Sequence, residues 1–168
     1  MISDIIIGLG DDQMSAVGMF IFPMGIPGGG NAEEIALRIT SSFDPPEESI
    51  TTYDIPYKGL KFTKTSHTQE GDKSFTVDCR LDQKWEVFDA LQKWLRMSLD
   101  PTTGTSLPDS MTRADVIYQA QDGAMKKAKN LRFKGAKLKS LKIGAFDPQS
   151  GDPIMLTLGF IFYEMLTD

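Results

Sequence analysis

The sequence predicts a mainly β fold, an antiparallel β-sandwich or barrel with one flanking α-helix. Three observations point there. Most apolar side chains alternate with a period of two, as on half-buried strands. One segment, Gln83 to Met97, repeats instead with the period of a helix. The last strand is apolar on both faces, so it needs cover from more than one direction. At 168 residues the chain suits a single domain spanning 1–168, long enough to bury about 68–70% of the surface its unfolded form exposes.

Residues 1–16 mix Ile5-Ile6-Ile7 with Gly8, Gly10, Asp11 and Asp12, which reads as an N-terminal arm. Val17 to Phe22 is nearly all apolar and reads as a buried strand. After the turn from Pro23 to Gly30, Ile35, Leu37, Ile39 and Phe43 alternate with Arg38, Thr40 and Ser42, predicting a second strand. Residues 44–60 carry Pro45, Pro46 and Pro56 among acidic and hydroxyl side chains and read as a protruding loop. Loops of that length usually have a function, and its spaced side chains Ile50, Tyr53, Ile55 and Tyr57 suit contact with a partner.

Lys61 to Ser66 and Lys73 to Leu81 read as a hairpin turning at Glu70-Gly71-Asp72, with Phe75, Val77, Cys79 and Leu81 facing inward. Asp82 is placed to cap the helix that follows, its carboxylate accepting from first-turn amides. Trp85, Phe88, Leu91 and Leu95 form the central stripe of that helix, with Val87 and Trp94 at the margins. Thr112 to Gln121 alternates as a strand. Arg132 to Phe146 does so with a change of parity near Ser140 that predicts a β-bulge. Ile154 to Tyr163 puts Leu156, Leu158, Phe160 and Phe162 on one face and Met155, Thr157, Ile161 and Tyr163 on the other.

The composition, 40% hydrophobic and 24% charged, is ordinary for a water-soluble domain. No apolar run approaches the ~20 residues that cross a bilayer, and the N-terminus has no basic region of the kind that opens a secretory signal. The net charge of −5 argues against general nucleic-acid binding. Its distribution is uneven: residues 1–60 hold nine acidic side chains against Arg38 and Lys58, whereas residues 126–168 hold eight basic against four acidic. Such opposite ends suit copies meeting front to back.

Catalytic chemistry has no foothold. The one histidine, His67, lies in a polar strand and the one cysteine, Cys79, on an inward face, so a nucleophile with its base is absent and zinc lacks ligands. Gln13 stands where a dinucleotide fingerprint needs its third glycine, and Pro27-Gly28-Gly29-Gly30 lacks the Gly-Lys-Ser/Thr of a phosphate loop. Asp147 to Asp152 departs from a calcium loop at Gln149 and reads as a turn. The carboxylates Asp44, Glu47, Glu48 and Asp54 read as solvated charge. The basic run from Lys126 to Lys134 lacks interleaved stacking aromatics and reads as a solvent-facing or intersubunit strand. No enzyme, cofactor or metal ion is expected.

Phe75 to Asp82, then Trp85 to Leu95, then Asp100-Pro101-Thr102-Thr103-Gly104 resemble the strand, Trp-bearing helix and loop of phage tail tube proteins of the contractile type. The ending from Leu138 to Met165 is similar to the closing strands of that family. The resemblance implies a structural, self-assembling virion protein whose hexameric rings stack into a tube and conduct DNA during ejection. It implies sheath, baseplate and terminator proteins as partners, DNA that passes without specific binding, no membrane, and synthesis in the host cytoplasm. Related tubes serve type VI secretion and other contractile injection systems. A monomeric β-sandwich binding module gripping its ligand with residues 44–60 is the alternative. Candidate assembly residues are Glu47, Glu48, Ile50, Tyr53, Ile55, Tyr57, Trp94, Ile161 and Tyr163.

Overall fold

The computed structural model describes residues 18–39, 43–121, 124 and 126–168; the expected arm 1–16 lies outside them. Among the described residues eight strands, β1 (Gly18–Ile21), β2 (Ser49–Tyr57), β3 (Leu60–Glu70), β4 (Ser74–Arg80), β5 (Ala114–Gln121), β6 (Lys127–Ile143), β7 (Met155–Ile161) and β8 (Glu164–Thr167), are interrupted by three helical segments. These are α1 (Ala32–Arg38), α2 (Glu86–Ser98) and the single turn α3 (Asp109–Thr112).

Six strands form one antiparallel hydrogen-bonded system ordered β1-β5-β6-β7-β4, with β8 added to β6. The length of β6 makes this possible. Its first half pairs with β5 and β8, its second half with β7. Two irregularities redirect it: the pairing with β5 shifts register near Gly135, whose φ is +67°, and the pairing with β7 shifts between Leu138 and Ser140, where the sequence parity changes. The predicted bulge is therefore real. The bend lets two sheet halves close on one core, in which Phe20, Val116 and Phe133 from one half meet Phe75, Val77, Leu156, Leu158 and Phe160 from the other.

The flanking helix closes this core with Val87, Leu91 and Trp94, at positions i, i+4 and i+7. The apolar stripe is thus turned by about one position from the one the sequence suggests. Trp85 is the reason: at φ 62° it lies outside the helix as its left-handed N-cap residue, so it cannot centre a helical face. Trp94 is wholly buried, lies 5.7 Å from the Phe160 ring and donates from Nε1 to the Thr112 carbonyl at 2.6 Å. Its expected place at an assembly surface is therefore corrected. Asp82 does accept from the amides of Glu86 (3.2 Å) and Val87 (3.3 Å), supplying acceptors for donors that a helix start leaves orphaned.

Two strand readings change. Ala32–Arg38 is a helix: Asn31 Oδ1 accepts from the Glu34 amide at 3.2 Å, Glu34 pairs with Arg38 across one turn, and Ile35 alone is buried while Leu37 points to solvent. Alternation over five residues cannot separate period 2 from period 3.6 when alanines fill the gaps. The hairpin expected between residues 61–66 and 73–81 is also absent. β4 pairs instead with β7, Phe75 opposite Phe160 and Cys79 opposite Leu156, because its inward face belongs to the core. Cys79 is fully buried as expected, and desolvation pushes its thiol up from 9.0 to about 11.

Trp94→Ala is expected to cost about 3–5 kcal/mol in denaturant unfolding, the range for a buried aromatic, and the half-exposed Trp85→Ala clearly less. For Cys79 the native state holds its proton to higher pH than the unfolded chain does. Its contribution to stability is therefore intact below pH 9 and is lost as pH rises toward about 11. The unfolding free energy of Cys79→Ala should fall less steeply across that window than that of the unaltered chain.

Candidate assembly surface

Residues 44–60 are not an irregular loop. Their second half is β2, paired to β3 in a long two-stranded ribbon separate from the main sheet. Lys58 (φ 48°) and Gly59 (φ 80°) occupy the two-residue turn between Tyr57 and Leu60. Positive φ at both positions is the type I′ geometry whose twist matches that of paired strands. Pro56 obscures the strand in the sequence, yet it is tolerated because a two-stranded ribbon consists only of edges.

The register sorts the ribbon into two faces. Tyr53, Ile55 and Tyr57 lie opposite Lys64, Phe62 and Leu60, and cross-strand partners share a face. Tyr53, Ile55, Tyr57, Leu60 and Phe62 therefore form one apolar face, each between 38% and 63% exposed. The other face carries Thr52, Asp54, Pro56, Lys61, Thr63 and Thr65, with Thr63 donating to Asp54 at 2.8 Å. Covering a large apolar side chain is worth about 1.5–3 kcal/mol, so five on one exposed face make this the strongest candidate surface. Leu60 and Phe62 were missing from the sequence reading. The signal was the Lys58-Gly59 pair flanked by alternating apolar residues.

The other expected residues are scattered. Ile50 is exposed beyond the ribbon's register shift, opposite Gln69. Glu47 and Glu48 are exposed at the ribbon's base, where they border a cleft with Gly71, Lys73 and Phe162. Ile161 is half-buried at the end of β7. Tyr163 is exposed, but the Arg113 guanidinium sits 3.9 Å over its ring and the ring lies against Gly135, where any Cβ would collide with it. Its face is already partly occupied. His67 is exposed on β3, and no grouping of three His, Cys, Asp or Glu able to hold a metal occurs among the described residues.

Arg132, Lys134 and Lys137 of the basic segment are paired internally. Arg132 reaches Asp115 (3.5 Å) and Asp168 (3.7 Å), Lys134 reaches Glu164 (3.9 Å) and Lys137 reaches Asp109 (2.9 Å). The Lys137 hydrogen bond, with one from Arg113, holds the Asp109 carboxyl below its usual range. These pairs leave fewer cations for phosphate than the sequence count suggests.

No family model matches the sequence, and no curated protein matches it. Solved structures do match. A chain in the cryo-EM structure of the anti-feeding prophage cap, which terminates that particle's tube, superposes with a TM-score of 0.69 at 10% identity, covering 96% of this chain and 93% of that one. The chain shares the fold of that cap chain. Chains of the extracellular contractile injection system PVC share that fold, one from its extended sheath–tube complex (TM-score 0.64, 15% identity, 99% and 96% covered). Another comes from its extended sheath/tube terminator (0.66, 13%, 96% and 99%). The shared fold covers nearly the whole chain and agrees with the mainly β expectation.

Because the ribbon face is exposed in the single chain, Ile55→Thr and Phe62→Thr should each change the unfolding free energy by no more than about 0.5 kcal/mol. Association measured by sedimentation should nevertheless fall in both variants.

Proposed function

We propose that this chain is a structural subunit of a contractile-tail tube, assembling as six-membered rings that stack into a hollow cylinder. The observation that carries the reading is the β2–β3 ribbon, an ordered hairpin with an uncovered apolar face standing on a body whose own core is closed. Large exposed apolar patches mark interaction sites. The fold shared with chains of contractile injection systems supports the same reading.

In the phage form of this function the lumen conducts DNA, and the subunit belongs to the virion after synthesis in the host cytoplasm. Sheath, baseplate and terminator proteins are its neighbours. The protein is not an enzyme, and DNA passes without specific contact. Weak affinity is supported by the net charge of −5 and by the internal pairing of Arg132, Lys134 and Lys137. The ribbon supplies the contact from one ring to the next.

Purified protein should appear as rings or tubes by negative-stain electron microscopy and sediment far above 18.6 kDa. A monodisperse monomer across concentration and salt overturns assembly and favours the binding module. Ile50 and Gln69 are register partners, so residues 51–68 can be replaced by a short Gly-Ser turn. That variant should fold and form rings that do not lengthen into tubes, and full-length tubes from it would refute the ribbon's stacking role. Filter binding of DNA at roughly physiological salt should show little retention.

A further inference from the structure

If the ribbon joins one ring to the next, its partner surface must lie on the far side of the subunit. The sheet formed by β4, β7 and the second half of β6 has two distinct ends. At one, Ser74 pairs with Ile161, and the ribbon's base meets this end through Gly71 and Lys73. At the other, Arg80 pairs with Met155 and Ile143 with Leu156, and the segment 144–154 connects β6 to β7 there. Seven residues of β4 lie between, about 20 Å at the rise of a strand.

Phe146 in that connection is 65% exposed. Its ring stacks on Trp85, with centroids 6.3 Å apart and planes 9° from parallel, and Trp85 meets Phe88 edge-on at 5.4 Å. Asp147 and Asp152 border the same cleft as Phe146 and make no ion pair among the described residues. They are the charged residues of 144–154, which therefore carries −2. Residues 54–64 at the ribbon tip hold Lys58, Lys61 and Lys64 against Asp54, a net of +2. The tip is cationic although the first third of the chain is acidic, since Glu47 and Glu48 stay at the ribbon's base.

We propose that Phe146, Asp147 and Asp152 form the receptor for the ribbon tip of a second copy of this chain. The tip's Tyr57 and Leu60 cover the Phe146 ring, and its Lys58 and Lys61 meet the two carboxylates. This inference rests on the proposed tube assembly. The contact is heterologous, joining different surfaces of each copy, and in the proposed tube it runs from one ring to the next along the axis.

The test is a charge swap read by tube length in electron microscopy and by sedimentation, with circular dichroism and melting temperature checking each variant's fold. Lys58→Glu with Lys61→Glu, and separately Asp147→Lys with Asp152→Lys, should each weaken association at least about tenfold at low salt, in line with the cost of like-charge juxtaposition across an interface. All four changes in one chain should restore lengthening, because the pair is then complementary again. Phe146→Ala should shorten tubes with little dependence on salt. Full-length tubes from the Asp147/Asp152 variant, or a swapped chain no better than its parents, overturns the receptor. If lengthening stops on ribbon excision yet survives these changes, the stacking role stands and the receptor alone is wrong; if excision also leaves lengthening intact, the stacking reading itself has failed.

Discussion

The contact between Phe75 and Phe133, rings 4.5 Å apart, joins the two halves of the sheet, and the rest of the body is arranged around it. Phe75 also stacks on Phe160 at 5.2 Å and touches Phe43 and Phe162, while Phe133 meets Phe43 and Phe162. Trp94 extends the cluster to α2 through Phe160, and Phe20 with Tyr118 extends it to β1 and β5. Edge-to-face and offset ring pairs add about 0.5–1.5 kcal/mol each beyond burial. They also demand specific orientations, so the strands bearing them have little freedom to slide. The bend of β6 is the backbone's answer to that demand. Without it, the residues before and after Gly135 could not face one core.

What the sequence disclosed follows from how far each element's surroundings are local. β4, β6 and β7 were legible because inward Phe75, Val77 and Cys79 alternate cleanly, and because the parity change at Ser140 has one ordinary cause, a bulge. The helix existed where expected and buried side chains of the expected apolar arc, but the centre of its buried stripe is Val87, Leu91 and Trp94 rather than a row that begins at Trp85. A left-handed Trp85 is a backbone fact that no periodicity records. The seven residues of α1 defeated pattern reading, since only Ile35 is wholly buried and the Asn31 cap is a single-residue signal. The partners of β3 and β4 depended on contacts distant in sequence, Phe75 with Phe160 above all.

The candidate surface was half legible. Ile50, Tyr53, Ile55 and Tyr57 suggested contact with a partner, but reading them as a loop hid the matching strand that supplies Leu60 and Phe62. The charge reading was misleading in a different way. Counting acids along residues 1–60 averaged the ribbon's base with its tip, although the two lie at different places and carry opposite signs. Trp94 looked like a marginal helix position and is instead the side chain that seals α2 to the core.

The ribbon's isolation has a kinetic meaning. Two strands hydrogen-bonded to each other and, among the described residues, to no third are marginal in water on their own. Their amides should open and close far more often than those of β6, which is paired along both edges over part of its length. A single ribbon that must be held straight by its target makes a weak and short-lived first encounter. Several acting together share that ordering cost through effective concentration. In the proposed tube, growth would therefore begin slowly and speed up once a first ring stands as a template.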